Sequence, residues 1–123
     1  MNVVDSSAWL EYLADGPNAE HFSDPLIDID NLIVPTICIY EVFKAVYRQR
    51  GEDAALQAVA LMKQGTTVNL TDELALQAAK ISIESKIPMA DSIILATARD
   101  HEAVLWTQDQ DFKDMENANY FPK

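Results

Sequence analysis

The chain reads as an α/β domain built on a mainly parallel sheet, and three observations predict it. Short apolar runs alternate with segments of helical period, most of the runs lead directly into a helix start, and there is no internal repeat or low-complexity stretch to suggest another architecture. With 123 residues, there is enough chain for one sizeable core and too little for two, so a single domain over residues 1–123 is expected.

The first strand is Asn2 to Asp5, followed by a helix from about Ser7 to Ala14 that Ser6 or Ser7 would cap and Asp15-Gly16-Pro17 would stop. A short helix is expected before Pro25. Leu32-Ile33-Val34 forms the second strand, ending at Pro35, and Thr36 is placed as N-cap of a helix that runs to Gly51. Alanine, leucine and glutamine content, with acids in the first turn, predicts a helix from Glu52 to Lys63. Thr67 to Leu70 reads as a strand, and Thr71-Asp72-Glu73 opens a helix through Ser85. Pro88 introduces an apolar helix, Met89 to Ala98, with Asp91 in its first turn. Ala103 to Trp106 is the next strand, residues 107–112 the loop beyond it, and Tyr120-Phe121 a short edge strand.

Twenty acids against nine bases give a net charge of −11, which argues against non-specific binding of nucleic acid or anionic membrane by the bare surface. Both solubility and a cation-binding site fit that balance. No apolar run approaches the roughly 20 residues that span a bilayer, and the N-terminus lacks the basic start and apolar stretch of a signal peptide. A cytoplasmic location is therefore expected, with no membrane contact. The single cysteine, Cys38, stands among apolar residues and reads as a buried, inert thiol.

Ligands of parallel α/β sheets bind at the carboxyl ends of the strands. Four acids sit where right-handed crossovers would bring them to that edge: Asp5, Glu41, Asp91 and Asp109. Each has an ordinary reading too. Asp5 can cap a helix, Asp91 can favour a helix N-terminus, and Asp109 or Asp111 can shape a turn. Glu41 shares a helix face with Ile37, Lys44 and Arg48, so a surface pair with Lys44 competes with a buried role. If the acids converge, two carboxylates about 4 Å apart repel by roughly 4 kcal/mol at an effective dielectric near 20, and a proton or a cation must relieve this. Oxygen donors without His or Cys favour Mg²⁺ or Mn²⁺, which suit hydrolysis of a phosphodiester by activated water.

Val4-Asp5-Ser6-Ser7-Ala8-Trp9-Leu10, Glu41-Val42-Phe43, Ala90-Asp91-Ser92-Ile93-Ile94-Leu95-Ala96-Thr97-Ala98 and Leu105-Trp106-Thr107-Gln108-Asp109-Gln110-Asp111-Phe112 resemble, in order, the four motif blocks of the PIN-domain ribonucleases, particularly the VapC-type toxins of toxin–antitoxin modules. The resemblance spans nearly the whole chain. It implies a three-layer domain with a 3-2-1-4-5 sheet, an endoribonuclease activity, and Asp5, Glu41, Asp91 and Asp109 as a quartet around Mg²⁺ or Mn²⁺. It further implies that Ser7 and Thr107 orient carboxylates or water, with Asp111 the competitor of Asp109 as fourth acid. RNA as substrate, a cognate antitoxin in the catalytic cleft and a homodimer are also implied. Lys44, Arg48 and Arg50, following Glu41 on its helix, are the local candidates for phosphate contacts, against the alternative of a solvated face.

Three other readings compete. A phosphoacceptor signalling domain expects paired acids after the first strand and a lysine after the last, and a dehalogenase-type phosphatase expects a second Asp where Ser7 stands. A non-catalytic binding module would keep the fold and use the acids only for docking or solubility.

Overall fold

Five short strands and six helices alternate along the computed structural model, which describes residues 1–123. They are β1 (Asn2–Val4), α1 (Ser6–Leu13), α2 (Ala19–Ile27), β2 (Leu32–Pro35), α3 (Thr36–Arg50), α4 (Glu52–Met62), β3 (Thr66–Val68), α5 (Asp72–Ser85), α6 (Met89–Asp100), β4 (Val104–Thr107) and β5 (Ala118–Tyr120). The sheet order is β3-β2-β1-β4-β5 and every pairing is parallel. This is the predicted α/β class and strand order, with helices flanking the sheet.

β1 lies at the centre. Val3 pairs with Ile33 on one side and Leu105 on the other, and all three are buried. Continuous apolar runs form these strands because helices cover both faces of a parallel sheet, so no strand needs a polar side. Trp9, Phe22, Met62, Ile94 and Phe112 fill the space between sheet and helices, each at most 1% exposed. Since all strands run the same way, their carboxyl ends share one edge, where β1 feeds α1, β2 feeds α3 and β4 enters the 107–112 loop. No helix is long and apolar enough to cross a membrane.

Local departures from the sequence reading have physical causes. Asp5 itself, rather than Ser6 or Ser7, is the N-cap of α1, its carboxylate accepting the Ala8 N–H at 2.9 Å. Thr36 is the first residue of α3 and Pro35 occupies its cap position without a side-chain bond, because β2 stays extended through Pro35 to pair with Val68. That last pair also ends β3 at Val68, since β2 offers Asn69 and Leu70 no further partner. The helix expected to stop before Pro25 continues through it to Ile27, with Pro25 buried against the core in the closing turn. Trp9 is a core residue, whereas Tyr40 and Tyr47 are exposed.

Leu105 is fully buried at the β4–β1 junction. Replacing it with Ala should cost about 2–5 kcal/mol, read as a lowered urea midpoint at unchanged slope.

Candidate metal centre

Asp5 occupies the first position past the central strand, where the chain turns from β1 into α1. Its backbone N–H donates to the Trp106 carbonyl at 3.0 Å, extending the β1–β4 pairing by one step. Only 2% of the residue is exposed. Three donors meet the carboxylate: the Ser7 hydroxyl and the Ala8 N–H, both at 2.9 Å to Oδ1, and the Thr107 hydroxyl at 2.7 Å to Oδ2. Burial nevertheless raises its pKa from 3.8 to about 6. The bonds from Thr107, Ala8 and Ser7 oppose the rise, and the nearby Asp109 charge adds to it.

Thr107 serves two acids at once. While donating to Asp5, its Oγ1 accepts the backbone N–H of Asp109 at 2.9 Å, which sets the direction in which the chain leaves β4. Asp109 then accepts the Asp111 N–H through its own carboxylate at 2.9 Å and caps a 3₁₀ turn, Gln110–Phe112. Phe112 anchors that turn in the core. Its neighbour Asp111 is thereby held close, and Asp91, Asp109 and Asp111 each offer a carboxylate oxygen within 4.8 Å of the others. Both loop acids, and not one of the two, approach Asp91.

Asp91 comes from the first turn of α6. Its pKa is raised to about 7, first by burial, then by the Asp109 charge, a hydrogen bond with Asp111, and the charges of Asp111 and Asp5. The protonated form is thus favoured first by burial and then by neighbouring carboxylates without a counter-charge. No Lys or Arg forms an ion pair with any of them; the one basic group within 4 Å of a carboxylate is the His101 ring, with Nδ1 3.9 Å from Asp100.

Glu41 reaches the same edge from α3 and is half-buried. The surface pair with Lys44 that its helix face allowed is not formed. Instead the Ser6 hydroxyl donates to Glu41 Oε1 at 2.6 Å. Ser6 was read from sequence only as a cap. With Asp5 taking that task, its side chain is free to cross to α3, and the one available signal was a second small hydroxyl residue beside the acid. Below these groups lies Cys38, completely buried, with Sγ 3.9 Å from the Val4 carbonyl. Burial, and further the charges of Asp5, Glu41 and Asp91, push its thiol far above the ordinary range despite an opposing bond from Ser6. Such a thiol is unreactive.

The donor set fits a hard divalent cation. Asp91, Asp109 and Asp111 present oxygens only, Asp5 and Glu41 stand at the same edge, and a bound cation would offset the burial and the repulsion that together raise Asp5 and Asp91. The basic candidates do not stay together. Lys44 and Arg48 border an open groove of about 800 Å³ with Tyr40, Phe43 and Tyr47. Arg50 turns to a separate cavity of about 650 Å³ that it lines with Ser7, Gln108 and Lys123 between α1, α3 and α4.

Comparison with known proteins adds a family. A family model described as the PIN domain matches residues 3–118. Among solved structures, a toxin–antitoxin complex from Klebsiella pneumoniae superposes with a TM-score of 0.81 at 20% identity, covering 100% of both chains. The sarcin–ricin-loop-cleaving toxin VapC20 from Mycobacterium tuberculosis gives 0.79 at 18% identity, over 95% of this chain and 96% of that one. FitAcB from Neisseria gonorrhoeae gives 0.75 at 20% identity, over 99% and 98%. No curated protein sequence matches the chain.

The two raised acids give a signed pH dependence. Both bind protons more tightly folded than unfolded, so their contribution to stability is fully present below about pH 4 and is lost as pH rises through about 6 and 7. Thermal melts of metal-free protein should therefore show the melting temperature falling across that window. Asp91→Asn should flatten the fall and melt above wild type at pH 8, and Mn²⁺ should raise the wild type more than the variant. A melting temperature that climbs from pH 4 to 7, with Asp91→Asn following in parallel, would contradict the assignment.

Proposed function

The chain belongs to the PIN-domain family, and we propose that it is a metal-dependent endoribonuclease hydrolysing RNA phosphodiester bonds, the toxin of a type II toxin–antitoxin system. The observation that carries the reading is the meeting of carboxylates from three separate segments, after β1, in α6 and after β4, with two of them driven towards protonation first by burial and further by neighbouring carboxylate charge. Perturbed acids at the carboxyl edge of a parallel sheet mark a site built for chemistry rather than for solubility. Solved structures of the same fold include toxin–antitoxin complexes and a sarcin–ricin-loop-cleaving toxin, which supports the same choice.

In this reading Asp5, Asp91 and Asp109 hold Mg²⁺ or Mn²⁺, with Glu41 completing the quartet and Asp111 supporting it. When bound, the ion supplies activation of water and polarisation of the scissile phosphate. The remaining tasks fall to the chain itself. Thr107 and Ser7 lock both oxygens of Asp5 in one orientation, so that its charge is placed before substrate arrives. Ser6 fixes Glu41 by Oε1, leaving Oε2 to accept a proton from the attacking water. Lys44, Arg48 and Arg50 are assigned to phosphate contacts, the first two beside Glu41 on α3 and the third from the neighbouring cavity.

A cognate antitoxin is the expected protein partner. The acidic cleft has no internal cation, and a guanidinium fork from the partner would satisfy two carboxylate oxygens at once. A homodimer and a cytoplasmic location belong to the same proposal.

The test is incubation of the purified chain with defined RNAs, with Mg²⁺, Mn²⁺ or chelator. Cleavage should require the ion and vanish in Asp5→Asn and Asp109→Asn, while Asp111→Asn retains it; the reverse pattern at the last two would exchange their roles. Thr107→Val should lower kcat about 10–100-fold and Thr107→Ser should largely restore it. Cleavage that persists undiminished in Asp5→Asn, or metal-independent partner binding with no cleavage at all, would sink the hydrolase reading.

A further inference from the structure

Asn18 stands at the N-cap of α2 and does not cap it. An asparagine in that position ordinarily turns its side-chain oxygen back to its own helix. This one sends its amide nitrogen elsewhere, donating to Gln108 Oε1 at 3.0 Å and to the Pro122 carbonyl at 3.1 Å, 90 and 104 residues along the chain. The Pro122 carbonyl can only accept, which fixes the end of the Asn18 amide that faces it. The other N–H of the same nitrogen then needs an acceptor, which fixes the Gln108 amide as well. The Asn18 backbone is held in turn, its N–H donating to Glu11 Oε2 of α1 at 2.8 Å.

What this amide grips is the acid-bearing loop. Gln108, 7% exposed, lies between Thr107 and Asp109. Apart from contacts among the acids themselves, the hydrogen bonds of residues 108–112 run within the loop and back to Thr107, save the one from Asn18. Residues 121–122, which share the Asn18 amide with Gln108, also hold the loop's start: the Phe121 N–H donates to the Thr107 carbonyl at 2.9 Å, and the Phe121 ring stacks on His21 of α2, centroids 4.4 Å apart and 9° from parallel. Between its anchors at Thr107 and Phe112, the loop carries two carboxylates that repel each other and Asp91. A bond that stops them from parting holds them ready for a cation. Resting on the metal-centre reading, we propose that Asn18 is a positioning residue of that centre: through Gln108 it keeps Asp109 and Asp111 at the spacing an ion needs, while touching neither ion nor RNA.

The experiment titrates the full-length chain with Mn²⁺, following the free ion by electron paramagnetic resonance, and reads amide hydrogen exchange of Asp109 and Asp111 in the metal-free protein. Asn18→Ala should weaken Mn²⁺ binding about tenfold and speed exchange at both amides. Gln108→Ala should lose as much, and the double variant no more than the larger single loss, because one bond joins the two residues. Asn18→Asp keeps the shape and adds a charge that alone would favour the ion, yet it sets an acceptor against two acceptors and should also bind Mn²⁺ more weakly than wild type. In cleavage assays, excess Mn²⁺ should largely return the kcat of Asn18→Ala, and KM for RNA should not move. Wild-type Mn²⁺ affinity or unchanged exchange in Asn18→Ala would overturn the role. So would additive losses in the double variant, or a deficit that vanishes when the titration is run far below the melting temperature. Mn²⁺ affinity that follows Asn18 in a chain that cleaves no RNA keeps the role and removes the ribonuclease. Asp5-dependent cleavage with unaltered Mn²⁺ affinity in Asn18→Ala does the reverse.

Discussion

A carboxylate taken out of water must be compensated, and the way this chain compensates Asp5 organises much of what surrounds it. The three donors to its oxygens come from two places in the chain, the first turn of α1 and the last residue of β4. Burying an ionised group without such bonds would cost several kcal/mol. Here the compensation is incomplete, and the pKa stays near 6. The same bonds fasten the start of a helix and the end of the neighbouring strand to the end of the central strand. Through the second bond of Thr107, they also set the course of the loop that carries Asp109 and Asp111. The spacing of the acids is therefore a property of the β1–β4 pair rather than of the loop alone.

Much of the fold was legible because buried parallel strands announce themselves as unbroken apolar runs. Leu32-Ile33-Val34 is such a run, Val104-Leu105-Trp106 is equally apolar though only Leu105 of the three is fully buried, and Thr71 before Asp72-Glu73 caps α5 by accepting the Leu74 N–H as a sequence reading expects. Strand order was a different matter. Nothing in the residues of β4 dictates that it should lie against β1, and the 3-2-1-4-5 arrangement came from the ordered resemblance of whole motif blocks. Boundaries slipped where tertiary pairing decides them, as at Val68, whose partner strand ends.

At the site, the acids could be named from sequence because each follows a strand or opens a helix, but their division of labour could not. Helix capping and site-building looked like alternatives for Asp5, yet one carboxylate does both, since one oxygen receives the cap bond and the other faces Thr107. The Ser6–Glu41 bond spans 35 residues and was invisible to any local pattern. Asp109 and Asp111 looked like rivals because a linear motif has one slot for each role. A 3₁₀ turn between them brings both to Asp91. Arg50 parts from Lys44 and Arg48 because the helix sweep from 44 to 50 carries it to another face.

The scarcity of ion pairs has a consequence for the molecule as a polyelectrolyte. With twenty acids and nine bases, the chain leaves every Lys and Arg outside ion-pair distance of a carboxylate. Dissolved electrolyte therefore finds few internal attractions to weaken and a large net self-repulsion to screen. Screening of that repulsion should make added salt stabilise this fold, where it would loosen a salt-bridged one.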